Sequence, residues 1–497
     1  MRIVGLLFLF CNVFFANAQN VSSYYNLNTE AYISFFNERW KNPALMAQYP
    51  YHNYTELSFK HDLSKAEELY LIQDGNKAKH NQFSVQSFVK DKNRYYYGDA
   101  RYSKGLQSNQ NWMSASHYNL LQPYVVADTL GGDLHTEQYR FSGGYGCSWE
   151  KCTLGLHGRY TADTQFRQLD PRPLNTIYNL ELSAGLAYSI SSKYLLGFDV
   201  KYDSYKQNSD INDFTDDYEH TSLYMRGFGF TDAYFGNLVS RDEVNYDADG
   251  YGLALNLLPQ KTNNGWFATT QWFKRKVVQE SDRTHQTISE NHINTFGLES
   301  GFQWTTDNVI SVIKLQANTE IRAGWEFNYT AGGVLVNFIQ QYDQRTHDVK
   351  LLWLNMKKGD VIDFFYQLGS AYTNFEAIHH SPYANQSYST LQPEFKCGGS
   401  FRVKHLDIAI TQQLKYRHAL SSQLVTSELA FENANEQMVV PNHLFYTADN
   451  THYHTTLRMD YHLSKKYTLF IKGDFQRINY RNYAPTDHYA IACGVVL

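Results

Sequence analysis

The sequence predicts an all-β fold, a transmembrane antiparallel barrel of the outer-membrane kind with about 18 strands (14–18), and three observations predict it. Apolar and polar residues alternate over stretches of about ten residues, the length of a barrel strand. The links between those stretches alternate between short and long. Aromatics make up 16% of the chain, with Tyr at 40 and Phe at 31 against only 10 Pro, as in barrels with aromatic girdles at both membrane interfaces.

The alternation has a physical reason. Successive Cβ atoms of a strand point to opposite faces, so one face can meet lipid while the other meets water or packed side chains. In 152–162, Cys152, Leu154, Leu156, Tyr160 and Ala162 oppose Thr153, His157, Arg159 and Thr161. In 178–188, Tyr178, Leu180, Leu182, Leu186 and Tyr188 oppose Asn179, Glu181 and Ser183. In 194–203, Leu196, Phe198, Val200 and Tyr202 oppose Asp199, Lys201 and Asp203. Near the end, Tyr453, Leu457, Met459 and Tyr461 oppose His454, Arg458 and Asp460, and Leu469, Ile471 and Phe475 oppose Lys472 and Asp474. A charge on the lipid face near the midplane costs about 2–4 kcal/mol, and in these strands the charges keep to the other face.

A β-sandwich would alternate in the same way, so the links decide. Short ones fall at Asp91–Asn93, Ser148–Lys151, Ser191–Lys193, Gln260–Gly265, Thr305–Asn308, Lys357–Asp360, Lys404–Leu406 and Ser464–Lys466. Long ones lie near 63–81, 105–135, 165–175, 207–246, 281–290, 331–343, 377–389, 420–451 and 481–487. Short periplasmic turns and longer extracellular loops are the barrel rule. An opening strand near 54–62 and a closing strand at 488–497 make the count even and put both ends in the periplasm.

The ends define three segments. Arg2, the apolar run from Val4 to Phe15 and the small-residue site Ala16-Asn17-Ala18 read as a cleaved export signal over 1–18. Residues 54–497 form the barrel. Residues 19–53 carry no strand pattern; Asn28 would cap a helix from Thr29 to about Trp40, ended by Asn42-Pro43. That segment is a periplasmic tail or a plug in the lumen, with the plug preferred.

Composition excludes some classes. The net charge is −5 with no basic patch, so nucleic acid is not an expected partner. The cysteines beyond Cys11 are too few for a disulfide scaffold. Cys147 and Cys152 flank a turn, where they pair across the hairpin or stay small apolar residues, and Cys397 and Cys493 fall on the lipid face.

The Ala16-Asn17-Ala18 site, then Asn42-Pro43-Ala44 before the first strand, then a Tyr-rich barrel to the last residue resemble a family of uncharacterised outer-membrane β-barrel proteins from Bacteroidota. Asn42, Pro43 and Ala44 are also similar to the N-terminal hatch of outer-membrane long-chain fatty acid transporters, which implies a plug and a hydrophobic solute. The chain ends Val495-Val496-Leu497, where barrel-assembly signals commonly end in Phe, and reads as a variant of that signal.

Candidate lumen-lining charges are Arg159, Glu181, Asp199, Lys201, Asp203, Arg458, Asp460, Lys472 and Asp474; candidate plug residues are Asn42, Pro43 and Ala44. Mixed signs suit a salt-bridged wall better than a strongly selective pore. No nucleophile elbow, His-Glu-x-x-His or phosphate loop occurs, so no catalytic residues are assigned and no cofactor is expected. No metal site is expected either; His379-His380 and His452-x-His454 are the pairs able to offer imidazole ligands. The expectation is passage or uptake of a small or hydrophobic solute across the cell outer membrane, with membrane lipid and the barrel assembly machinery as partners. The alternative is a binding or assembly component that captures haem or a metal chelate, or docks a surface protein, for an uptake system; an outer-membrane hydrolase ranks third.

Overall fold

In the computed structural model the described residues are 26–51, 53–212, 222–236, 241–260, 264–359, 362–431, 433–464 and 466–497. The expected export signal lies outside them. Eighteen antiparallel strands form one sheet: β1 Tyr54–Ala66, β2 Lys77–Asp91, β3 Arg94–Gln110, β4 Gly132–Trp149, β5 Cys152–Arg167, β6 Arg172–Ser189, β7 Tyr194–Asn212, β8 Arg241–Pro259, β9 Gly265–Ser281, β10 Gln286–Thr306, β11 Val309–Tyr329, β12 Leu335–Lys357, β13 Ile362–His379, β14 Ala384–Val403, β15 Leu406–Val425, β16 Asn450–His462, β17 Thr468–Tyr480 and β18 Thr486–Val496. Each strand pairs with the next, and β1 pairs with β18 from Glu56↔Val496 to Ala66↔Thr486, so the sheet closes. Beyond that seam the Leu497 N–H still donates to the Thr55 carbonyl at 2.8 Å.

The two faces of the wall differ as the alternation requires. Outward residues stay exposed although apolar, such as Leu156 at 61% and Trp266 at 63%, and Tyr160, Tyr178, Phe198 and Tyr251 are exposed with them. Inward residues on the same strands, such as Asp199, Asp203 and Asn256, are buried. Among the described residues no helix is long and apolar enough to cross a membrane, and none is needed, because a closed barrel satisfies its backbone within the wall. A closed barrel of this size with an apolar outer band belongs in the outer membrane.

The short turns are tight. Asp91-Lys92-Asn93 holds Lys92 at φ 53°, and Lys404 sits at the same φ between β14 and β15. Several of the expected long loops are tight as well. The links after β5, β9, β11, β13 and β17 span only a few residues, because strands as long as Leu335–Lys357 continue above the membrane band. The longer links are those between β1 and β2, β3 and β4, β7 and β8, and β15 and β16.

The N-terminal segment folds differently from its reading in the sequence. The helix α1 spans Leu27–Phe35 and is capped by Asn26, whose Oδ1 accepts from the Thr29 N–H at 3.0 Å. Asn28 lies inside the helix and donates to the Lys357 carbonyl instead. A cap two residues earlier wins because Asn26 is the residue with extended backbone. Asn42-Pro43 does not end the helix but starts a 3-10 turn over Pro43–Gln48, with Asn42 Oδ1 accepting from the Ala44 N–H at 2.9 Å. Pro suits that first position, where no N–H is needed.

Candidate functional site

One strand serves as a ruler for the lumen. Along the inner face of β5 come Thr153, Gly155, His157, Arg159, Thr161, Asp163, Gln165 and Arg167, and they meet three different environments.

At the periplasmic end, Gly155 lies under the N-terminal segment. A Cβ there would come within 2.4 Å of the Pro43 carbonyl carbon, and one at Gly185 on β6 within 2.1 Å of Asn42 Oδ1. Only glycine permits that approach. Tyr95 donates to the Pro43 carbonyl at 2.9 Å. The segment buries Leu27, Phe35, Phe36, Ala44 and Leu45 against Leu195, Leu258, Phe267, Val312, Leu354 and Phe365 of the inner wall. Lys314, which is buried, pairs with Glu299 at 3.0 Å, donates to the Phe35 carbonyl and lies over the Phe35 ring. Asn26 donates to Asp363 at 2.9 Å.

At the extracellular end, β5 meets a cap. His117 Nε2 lies 3.3 Å from Asp163, Ser116 donates to Gln165 at 2.8 Å, and Arg167 pairs with the buried Asp128. The cap is built from the loops at 111–131, 222–236 and 430–447. It contains a helical turn α2 at Tyr118–Leu121, a helix α3 at Val440–Thr447, and a small ladder in which Val126 pairs with Tyr224. Trp112, Met113, Tyr124, Val125, Val126, Leu223, Phe230 and Phe235 make its core, packed on inward Ile177, Tyr205, Tyr246 and Val277. Arg322 pins it by donating to the Asn119 and Gln122 carbonyls. Arg226 pairs with Asp232 and with Glu326, which also meets His379. Asp128 sits below the usual carboxylate range: burial pushes it up, but Arg167, the Ser114 hydroxyl and the Gly131 N–H outweigh burial.

Between the two inserts lies a cavity of about 550 Å³, within the range of small-molecule sites. Arg140, Arg159, Arg275, Glu181, Asn179, Gln138 and Thr161 line its wall, and His117, Tyr118 and Gln110 its roof. Arg159 pairs with Glu181 at 3.0 Å and Arg140 with Asp99 at 2.7 Å, while Arg275 pairs with Asp203.

The candidate lumen charges therefore divide by height. Arg159 and Glu181 line the cavity, and Asp203 backs it through Arg275. Asp199 and Lys201 pair at 3.6 Å just below. Arg458 and Asp460 pair at 2.9 Å near the periplasmic end, where Arg458 covers the Phe470 ring and reaches Glu56. Lys472, the cross-strand partner of Arg458, pairs with Asp474 at 3.5 Å on the adjacent strand. Asn42, Pro43 and Ala44 face Gly155 and Gly185.

The histidine pairs do not converge. His379 is buried between the Pro382 carbonyl and Glu326, whereas His380 is exposed and bonds Asp343. His452 and His454 stack ring on ring, and His454 bonds Asp474. Among the described residues no group of three metal-ligating side chains forms; His379 and His380, adjacent on their strand, point to opposite faces. The four described cysteines are free thiols, so Cys147 and Cys152 stay unpaired with each other.

Sequence reasoning missed Arg140, Arg275 and the whole cap. Both arginines sit on the same inner-face periodicity as Arg159. The signal for the cap was Tyr124-Val125-Val126-Ala127, four apolar residues in a row within a loop that has no lipid to face.

No curated protein matches the chain. Solved structures similar to it include the ferric preacinetobactin receptor of Acinetobacter baumannii, at 8% identity, covering 90% of this chain and 80% of that one, with a TM-score of 0.42. The ferric citrate transporter FecA is similar at 10% identity, 90% and 79% coverage and a TM-score of 0.42. The outer-membrane transporter YddB of Escherichia coli is similar at 8% identity, 90% and 81% coverage and a TM-score of 0.44. These are not the fatty acid transporters that Asn42-Pro43-Ala44 suggested; here those three residues form a capped 3-10 turn seated on two glycines. A family model matches residues 43–496, nearly the whole barrel, and by that match the chain belongs to the family of unknown function DUF6850.

Proposed function

We propose that this barrel takes up a small polar solute, which is held in the chamber between the cap and the N-terminal segment, and that the N-terminal segment is the plug released to let it pass. One observation carries the reading: a largely polar cavity of about 550 Å³ in the lumen beneath the extracellular cap, on the far side of which the N-terminal segment packs into the wall. An open diffusion pore needs neither insert, and a purely structural barrel has no reason to keep a chamber lined with arginine, asparagine and glutamine. The polar lining favours a solute that exchanges hydrogen bonds over the hydrophobic one the hatch-like residues implied.

The test is single-channel recording in a planar bilayer with the full chain and with residues 19–53 deleted, followed by flux of succinate, phosphate and glucose into proteoliposomes. The full chain should be electrically quiet and the deletion should give discrete steps. Large steady steps from the full chain would remove the plug, and a deleted barrel that passes none of the three probes would remove the uptake reading.

A further inference from the structure

His443 lies in α3, which packs on β14 and β15 at the extracellular mouth, and its imidazole is buried between two polar side chains. Its Nε2 lies 2.8 Å from the Ser422 hydroxyl on β15, and its Nδ1 lies 3.0 Å from the side-chain amide nitrogen of Gln386 on β14. A hydroxyl, an imidazole and a third group that orients the imidazole are the parts of an activated nucleophile, at distances over which a proton transfers. A glutamine amide presents either its oxygen or its nitrogen. Gln386 makes no other side-chain hydrogen bond among the described residues. With its Oε1 toward Nδ1–H, the Nε2 lone pair is free for the Ser422 proton. The sequence holds no motif for this group, because its members come from two strands and a helix joined only by the fold.

Three other aliphatic hydroxyls meet an imidazole among the described residues: Thr319 at His347, Thr456 at His454 and Thr468 at His462. All three are threonines, and none is exposed. Ser422 is a primary hydroxyl and is exposed, while His443 behind it is buried. Burial alone holds the His443 imidazole below the usual histidine range, with no charged group contributing, so at neutral pH it is an unprotonated base. Val440 and Leu444, one turn apart on α3, and Leu420, two residues before Ser422, stay exposed although apolar. We infer that Ser422 is the nucleophile of an ester-hydrolysing site, with His443 as general base and Gln386 positioning the imidazole, and that the substrate is an uncharged carboxylic ester with an apolar acyl chain. The Ser422 oxygen attacks the ester carbonyl carbon as its proton passes to Nε2. The bond from that carbon to the alcohol oxygen breaks, the alcohol leaves with the Nε2 proton, and the acyl group stays on Ser422. Water then attacks the acyl carbon, giving its proton to Nε2, and the acid leaves as that proton returns to Ser422. This activity is independent of solute uptake.

The detergent-solubilised full chain tests it in two assays, turnover of p-nitrophenyl butyrate and covalent labelling by a fluorescent fluorophosphonate. Turnover and a label on Ser422, mapped by mass spectrometry, are expected. Mapping needs no variant, so the outcome does not hang on whether a substituted barrel folds. Absence of turnover, or a label on any residue but Ser422, overturns the site. Ser422→Ala should abolish both signals, and turnover that survives it also overturns the site. His443→Gln should slow turnover by at least about a hundredfold. Ser421→Ala, which removes a hydroxyl bonded to Ser389 instead, should leave turnover unchanged. Heat-modifiable gel mobility reports which variants have folded. Gln386→Leu should slow turnover, and Gln386→Glu should restore it with the pH profile moved upward, because a carboxylate beside the imidazole raises its pKa. An unchanged rate in Gln386→Leu would remove the positioning role.

Discussion

The two inserts at either end of the lumen are built in opposite ways. The N-terminal segment is one continuous stretch, packed mainly through apolar side chains and held by a few polar anchors, chief among them Lys314. The cap is woven from three loops far apart in sequence and is tied to the wall by Arg167, Arg226 and Arg322. A continuous segment can leave the lumen as a unit. A cap whose ends are strand ends can only rearrange in place. On the proposed reading, release falls to the periplasmic side and gating to the extracellular side.

The largest test of that contrast is the deletion already described, which should change conductance from quiet to open. Next come single breaks in the anchors. Lys314→Met strands Glu299 in a buried site, and removing one partner of a buried pair typically costs about 3–5 kcal/mol. Limited proteolysis of the N-terminal segment should accelerate sharply, while the cap stays protected. Arg167→Met should do the converse, with faster hydrogen exchange over 111–131 and an unchanged N-terminal segment. Should either variant loosen both inserts, they are one unit and the contrast fails.

Apolar anchoring should follow the same division. Phe36 is fully buried against Phe267, so Phe36→Ala should cost about 3–5 kcal/mol of docking. Acid should loosen the cap selectively. The carboxyl of Asp128 is held low in the folded state, so its contribution is complete above the unfolded value of about 3.9 and is lost as pH falls through the lowered folded value. Hydrogen exchange over 111–131 should rise in that acid window, and Asp128→Asn should abolish the dependence. The smallest effect belongs to Tyr95→Phe, which removes one hydroxyl from the Pro43 carbonyl and should cost about 0.5–1.5 kcal/mol.

The wall was legible in the sequence because lipid and water impose a strict two-residue period on it. Leu154, Leu156 and Tyr160 against His157, Arg159 and Thr161 give the strand and its two faces, and the short and long links give the barrel. The site was less legible for a physical reason. Arg159 and Glu181 announce an inner face but not a height, and height is set by the shear of the closed sheet and by what fills each end. Asp460 and Arg159 look alike in sequence, yet one lies near the periplasmic end and the other faces the chamber. The cap was illegible because Val126 and Tyr224 meet only once strands hundreds of ångströms apart in the extended chain have closed. The helix start was misplaced by two residues because Asn26 and Asn28 are equally good caps by type, and they are told apart only by the fold, in which Asn26 bonds Asp363 and Asn28 bonds the Lys357 carbonyl.

The clasp between the first loop and the last long one has a consequence for assembly. Asn442 accepts from the Ile72 N–H and donates to Gln73, across 370 and 369 residues of chain. Neither bond can form until nearly the whole sequence has been threaded into the wall. The roof therefore closes after the barrel does, and its closure acts as a proof of completeness: a chain interrupted before α3 would still wind much of its wall but would stand with its mouth unlatched, exposing Trp112 and its neighbours to the outside.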